Sequence, residues 1–246
     1  MTAPIYIINM PSCKERWHTT ASRLEHIGLK AQRFTATVGK TLTPKERALW
    51  YCPKKNKQHY HRDLTPGEIG CYVSHMRLWQ KMVDENILTC VVLEDDLLIE
   101  EHLKSIIKVT EELKDWDLIK LSNNRAIPFI DTLSLTHNLV LGNYLKVPNG
   151  TLGYILSLEG AKKLLNRKPF YRPVDMDIQF HSEVGLKVVG IKPYPVAEDE
   201  HFESEIALAN SGSHSSRSTF IRNLKHRICI YLQRKKISAD ISTVLK

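Results

Sequence analysis

At 246 residues with 42% apolar side chains, the chain can bury a full core as one large domain, or as one domain with an appendage. No run reaches the roughly 18 apolar residues of a membrane span, and the N-terminus enters an apolar strand without a charged leader, so a cytosolic protein is expected. The five cysteines, Cys13, Cys52, Cys71, Cys90 and Cys229, are odd in number and scattered, which excludes a disulfide framework and favours reduced thiols.

The net charge of +8 is unevenly placed. From His214 onward eight bases (Arg217, Arg222, Lys225, Arg227, Arg234, Lys235, Lys236 and Lys246) face one acid, Asp240, so this tail carries +7 and the body is nearly neutral. A domain over residues 1–213 and a basic tail over 214–246 are therefore expected. Such a tail suits an anionic partner, lipid headgroups or nucleic acid. Nucleic acid is disfavoured, because the body carries no nucleic-acid motif and little basic surplus.

In chain order, Ile5–Ile8 reads as a strand, Ser12-Cys13-Lys14-Glu15 as a capping box opening a helix that runs to Gly28, and Ala31–Ala36 as a second strand. Thr43-Pro44-Lys45-Glu46 and Thr65-Pro66-Gly67-Glu68 are further capping boxes, each with Pro at the first helical position. Between them Tyr51–Asp63, with four Lys or Arg and the histidines His59 and His61, reads as a polar, mobile loop. From Glu68 to Asp84, Ile69, Val73, Met76, Trp79 and Val83 recur at helical steps and mark one buried face.

That helix leads into Val91-Val92-Leu93-Glu94-Asp95-Asp96, a short buried strand that ends in three carboxylates. Leu103, Ile106, Ile107, Thr110 and Leu113 predict another helix, Leu118–Leu121 a strand, Thr151–Ser157 a strand and Glu159–Asn166 a helix. This alternation predicts an α/β fold with a mainly parallel, Rossmann-like, doubly wound sheet. Over Thr219–Lys236, Ile221, Leu224, Ile228, Tyr231 and Leu232 form an apolar stripe among basic residues, the pattern of an interfacial helix on an anionic membrane. The alternative is a helix packed on the body or on another subunit.

Open α/β sheets bind ligands at the carboxyl ends of their strands, which places Glu94, Asp95 and Asp96 to hold Mn²⁺ or Mg²⁺ and, through it, a diphosphate. The alternative is an acidic turn that caps the next helix. Strand alternation would put Glu94 and Asp96 together and Asp95 away, with Asp96 the principal ligand. His201, after Glu198, Asp199 and Glu200, could complete the metal shell. Asn9 and Arg16 lie where the nucleotide of a doubly wound fold sits, although Arg16 also reads as a surface charge. His75 is either a donor contact or a hydrogen-bonded core histidine. Asn149-Gly150-Thr151 suits hydroxyl recognition and also reads as a plain turn.

Four ordered blocks resemble glycosyltransferase family 25: Ile5-Tyr6-Ile7-Ile8-Asn9 with Arg16; Gly67-Glu68-Ile69-Gly70-Cys71-Tyr72-Val73-Ser74-His75; Leu93-Glu94-Asp95-Asp96; and Gly153-Tyr154-Ile155-Leu156-Ser157 leading to Gly160-Ala161-Lys162. The resemblance covers roughly residues 3 to 206. It is to the lipooligosaccharide galactosyltransferases of Gram-negative bacteria, relatives of the collagen galactosyltransferase domains. It implies a GT-A fold, a divalent metal and inverting transfer from a UDP-sugar, most simply UDP-galactose, to a lipid-linked oligosaccharide acceptor.

Thr37-Val38-Gly39 departs from the family pattern, which often carries an acid before that glycine. Val38 therefore marks a donor position without a carboxylate. Inversion requires a base for the acceptor hydroxyl. The place of Pro173-Val174-Asp175-Met176-Asp177 in the chain resembles the family's second acidic motif, which makes Asp175 first choice and Asp177 second. Asp175 also reads as a helix N-cap. A metal-dependent phosphohydrolase would use the same carboxylates, and a carbohydrate-binding protein without activity would keep the fold.

Overall fold

The computed structural model describes residues 3–123, 125–202, 220–233 and 235–245. The buried strand β1 (Ile5–Asn9) leads into α1 (Lys14–His26) and then β2 (Ala31–Thr35), which lies parallel to β1. The first capping box does not form. The Cys13 amide bonds the Met10 carbonyl in a tight turn, so Cys13 takes the N-cap position and Ser12 Oγ lies beside its sulfur.

The other two boxes form completely. Thr43 and Glu46 open α2 (Pro44–Trp50). The segment expected to be a mobile loop instead contains α3 (Pro53–His59), with Tyr51, Asn56 and Tyr60 buried. Its polarity misleads because Asn56 faces inward and donates to the carbonyls of Arg62 and Tyr171 at 3.0 and 2.9 Å. Thr65 and Glu68 then open α4 (Pro66–Asp84), which buries Ile69, Val73, Met76 and Trp79 as its periodicity predicts. Gly70 lets α4 touch the loop after β2: a Cβ there would stand 2.5 Å from the Thr37 carbonyl oxygen.

The chain continues through β3 (Thr89–Leu93), β4 (Leu97–Ile99), α5 (Leu103–Val109) and β5 (Leu118–Lys120). A hairpin of β6 (Thr132–Ser134) and β7 (Val140–Asn143) precedes β8 (Gly153–Ser157), α6 (Leu158–Leu165) and α7 (Val174–Gln179). After these come β9 (Val188–Lys192), β10 (Val196–Glu198) and α8 (Phe220–Gln233).

Eight strands form one α/β sheet in the order β2-β1-β3-β8-β5-β9-β7-β6, and β4 and β10 form a separate antiparallel ribbon. Six of the eight strands point the same way, as a mainly parallel sheet requires, and β7 and β8 oppose them. β8 arrives from the hairpin side rather than through a crossover helix, so it can insert antiparallel between β3 and β5. Side chains of β1 alternate into two cores: Tyr6 and Ile8 face α4, while Ile5 and Ile7 face α1 and α5. The architecture is consistent with a GT-A-like domain.

The basic tail divides into two unlike parts; Arg217, Arg234, Lys246 and the 213–214 boundary lie outside the described residues. Along α8, Ile221, Leu224, Ile228, Tyr231 and Leu232 are exposed, while His226 and Gln233 face the body. The segment after it is core: Ser238 and Val244 are buried, and the backbone bonds Ser238 to Tyr144 at 2.9 Å, Val188 to Ser238 at 3.0 Å and Lys114 to Val244 at 2.7 Å.

Candidate active site

β3 ends at Leu93, so its alternation stops before the three acids. Glu94 turns to one side, where its carboxylate accepts from Thr151 Oγ1 at 2.6 Å. Asp95 and Asp96 turn together toward α1, in place of the expected pairing of Glu94 with Asp96. Asn9 Nδ2 donates to Asp95 Oδ2 at 2.5 Å, and Thr20 Oγ1 donates to the Asp95 carbonyl at 2.8 Å. Arg16 sits between the two aspartates, its Nε 3.5 Å from Asp95 Oδ1 and its Nη2 bonded to Asp96 Oδ2. It is buried rather than a surface charge, and its guanidinium lies 5.5 Å from the Phe202 ring centroid. Asn9 is held in turn by Arg33 Nε on its Oδ1 at 2.7 Å.

The other oxygen of Asp96, Oδ1, is buried without a hydrogen-bond partner. A bare carboxylate oxygen at a sheet's carboxyl edge fits a hard divalent cation, whose remaining positions substrate phosphates and water normally fill. Of the predicted metal ligands, Asp96 alone has this character. Glu94 faces the opposite side. His201 stands at the rim, its side chain 94% exposed, and its Nδ1 lies 2.8 Å from Asp199 Oδ1. Asp199 ties this rim to the site, donating its amide to the Asp96 carbonyl at 2.9 Å and pairing with Arg23 at 2.7 Å.

A second group gathers around Gly150. Asp175 lies in the first turn of α7, whose N-cap is Pro173, so it is not the cap. Its Oδ1 accepts from the Met176 amide at 2.8 Å, and its Oδ2 takes only a long 3.4 Å contact from the Gly150 amide. In the next peptide Lys120 Nζ donates to the Gly150 carbonyl at 2.5 Å. Lys120 is buried, and desolvation draws its ammonium down to about 8 against the pull of Asp175 and Glu94. Burial, and then the charges of Asp96 and Asp95, push Glu94 up to about 7. Sequence reasoning does not find Lys120, whose one signal is a lone lysine in the apolar run Leu118-Ile119-Lys120-Leu121.

Asn149, Gly150 and Thr151 form the turn that links these groups, with Gly150 at a φ of 82° and Asn149 Oδ1 buried without a partner. His75 is buried beside Tyr154, its Nδ1 2.8 Å from the phenol oxygen, and desolvation pulls it down to about 3, so the ring is neutral. Val38 lies apart, its carbonyl closing a turn with the Thr41 amide at 3.0 Å. Asp177 is committed to structure. Both its oxygens are engaged, by Tyr72 Oη and Arg172 Nε at 2.7 Å each, because two residues along a helix it faces away from Asp175 and into the core.

The sequence profile of glycosyltransferase family 25 (LPS biosynthesis protein) matches residues 2–178, a span that holds all these groups except the rim residues Asp199, His201 and Phe202. The chain belongs to glycosyltransferase family 25. Among similar proteins, a glycosyltransferase 25 family member of Drosophila pseudoobscura pseudoobscura is 32% identical over 185 residues, 70% of this chain and 28% of that protein. Procollagen galactosyltransferase 1-A of Xenopus laevis is 31% identical over 189 residues, 70% of this chain and 30% of the relative. Procollagen galactosyltransferase 2 of Mus musculus is 31% identical over 217 residues, covering 81% and 32% respectively. The chain thus spans about a third of the length of these family 25 relatives or less.

Proposed function

We propose that this family 25 chain is an inverting galactosyltransferase that moves galactose from UDP-galactose onto a sugar of a lipid-linked lipooligosaccharide or lipopolysaccharide core, at the cytoplasmic face of the inner membrane. The observation that carries the reading is the pairing of two half-sites at one sheet edge: Asp96 with its bare oxygen beside Arg16, and Asp175 with its lightly held oxygen beside Gly150. The names of the galactosyltransferase relatives favour galactose, and the family's description favours the lipopolysaccharide acceptor.

In this reading Asp96 holds Mn²⁺ or Mg²⁺, which when bound offsets the charge that builds on the departing diphosphate. Arg16 lies between Asp95 and Asp96 and its positive charge offsets their mutual repulsion. Asn9, held by Arg33, fixes Asp95. Asp175 Oδ2 accepts the proton of the acceptor hydroxyl as that oxygen attacks the anomeric carbon. Asn149 Oδ1 supplies an acceptor for a sugar hydroxyl. The exposed apolar row of α8, flanked by Lys225, Arg227, Lys235 and Lys236, brings the enzyme to an anionic membrane that carries its acceptor.

Incubation with a panel of UDP-sugars, with and without Mn²⁺ and a short oligosaccharide acceptor, tests the reading. A new galactoside formed from UDP-galactose only with the metal is the expected product. Release of free galactose or sugar phosphate with no new glycosidic bond would make the chain a hydrolase instead.

A further inference from the structure

Cys71, His75 and Glu94 place a sulfur, a ring nitrogen and a carboxylate oxygen within 4.8 Å of one another, and among the described residues they are the one group of three or more potential ligands so placed. Cys71 and His75 stand four apart on α4 and therefore share a helix face, the spacing by which a single helix supplies two metal ligands. Glu94 reaches them from the end of β3 because it turns away from Asp95 and Asp96. We infer that Cys71, His75 and Glu94 form a second metal site, for a borderline-soft divalent cation such as Zn²⁺, separate from the hard-cation position at Asp96.

The chemistry of the donors separates the two positions. A thiolate and an imidazole select Zn²⁺ and disfavour Mg²⁺, whereas the lone carboxylate oxygen of Asp96 has the opposite preference. The supporting groups are those of a built metal site. Tyr154 Oη accepts from Trp79 Nε1 at 2.9 Å and lies 2.8 Å from His75 Nδ1; in the tautomer whose Nδ1 donates to that oxygen, Nε2 is left for an ion. Thr151 Oγ1 holds Glu94 Oε1 in the same way. Burial keeps the His75 ring unprotonated, as a ligand must be, but pushes the Cys71 thiol well up, so the ion must displace that proton to solvent as the sulfur binds it. Cys71 and Glu94 are half-buried, which gives an ion a way in. Three protein ligands leave a fourth position open, the arrangement of zinc sites that take up water or substrate. The inference is independent of the proposed reaction.

The test is titration of the purified, chelator-treated full-length protein with Co²⁺. The expected result is a thiolate-to-cobalt charge-transfer band that saturates, is erased by Zn²⁺, persists in Asp96→Asn and is absent from Cys71→Ser. Tyr154→Phe, which leaves all three ligands in place, should weaken Zn²⁺ about 10- to 100-fold in the same competition. No charge-transfer band in the wild-type protein overturns the site, whatever the variants do. A band that survives Cys71→Ser assigns the thiolate to another cysteine and overturns it equally. If Cys71→Ser does not fold, the wild-type spectrum and the Tyr154→Phe competition still decide, and an unchanged Zn²⁺ affinity in Tyr154→Phe overturns the site.

Discussion

Arg16 bonds one carboxylate oxygen of Asp96 and leaves the other buried without a partner. The carboxylate is thus held in place by a cation on one side and open to a second cation on the other. Asp96→Asn preserves size but removes the charge that a metal needs, so transfer should fall about a hundredfold or more, since metal stabilisation of the leaving diphosphate amounts to several kcal/mol. Thermal unfolding reports whether the fold survives. Near wild-type turnover at saturating Mn²⁺ would remove Asp96 from the mechanism.

The two aspartates of α7 should behave in opposite ways. Asp175→Asn should keep the fold and donor binding and lose kcat by about 10²- to 10⁴-fold, the usual loss of a general base. Asp177→Asn breaks a buried pair with Arg172 and should cost about 3–5 kcal/mol of stability. Denaturant melts beside steady-state kinetics separate the two. A stable, inactive Asp177→Asn would reverse the assignment.

A cut near residue 213 would remove two different structures at once. Ending the chain before Ser238 deletes buried Val244 and the backbone bonds to Tyr144, Val188 and Lys114, and the truncated protein should unfold or melt markedly earlier. A triple change of Leu224, Ile228 and Tyr231 to Ser, all exposed on α8, should leave the melt unchanged but reduce sedimentation with anionic vesicles. Salt should reduce it as well, since the Debye length shortens to about 3 Å at 1 M. Equal sedimentation of wild type and triple variant at low salt would exclude α8 from membrane contact.

Acid should loosen α8. His226 packs against the Tyr60 and His61 rings at 4.9 and 4.7 Å, and burial, with His61 and Arg172 nearby, pulls it down to about 4. His61 is lowered too, by burial and then by Arg62 and Arg222. The docked helix therefore binds fewer protons than the released one between about 6.5 and about 4. Docking is complete above that window and is lost as pH falls through it. Hydrogen-exchange protection of α8 should drop between pH 7 and pH 5 in the wild type and change less in His226→Leu.

Much of the site is legible before folding is considered. The acids after Leu93, with Asn9 and Arg16 opposite them, stand out from strand ends and caps, and they do converge. Which acids share a side is not legible, because alternation holds only while the strand continues and β3 ends at Leu93. The mobile-loop reading of Tyr51–Asp63 fails on Asn56, whose polarity serves buried carbonyls rather than solvent.

The sequence by itself determined those elements whose signal is local, because caps and periodicities act over a few residues: the Thr43 and Thr65 capping boxes and the apolar face of α4 need no distant partner. Only the tertiary structure decided which chemistry meets. Lys120 and Asp175 reach the carbonyl and the amide of Gly150, and Glu94 leaves its neighbours for Thr151, Cys71 and His75. It also decided that the end of a basic tail is core while its helix shows apolar side chains to solvent. These contacts join residues tens of positions apart. They are set by the order in which β8 enters between β3 and β5, which no local propensity encodes.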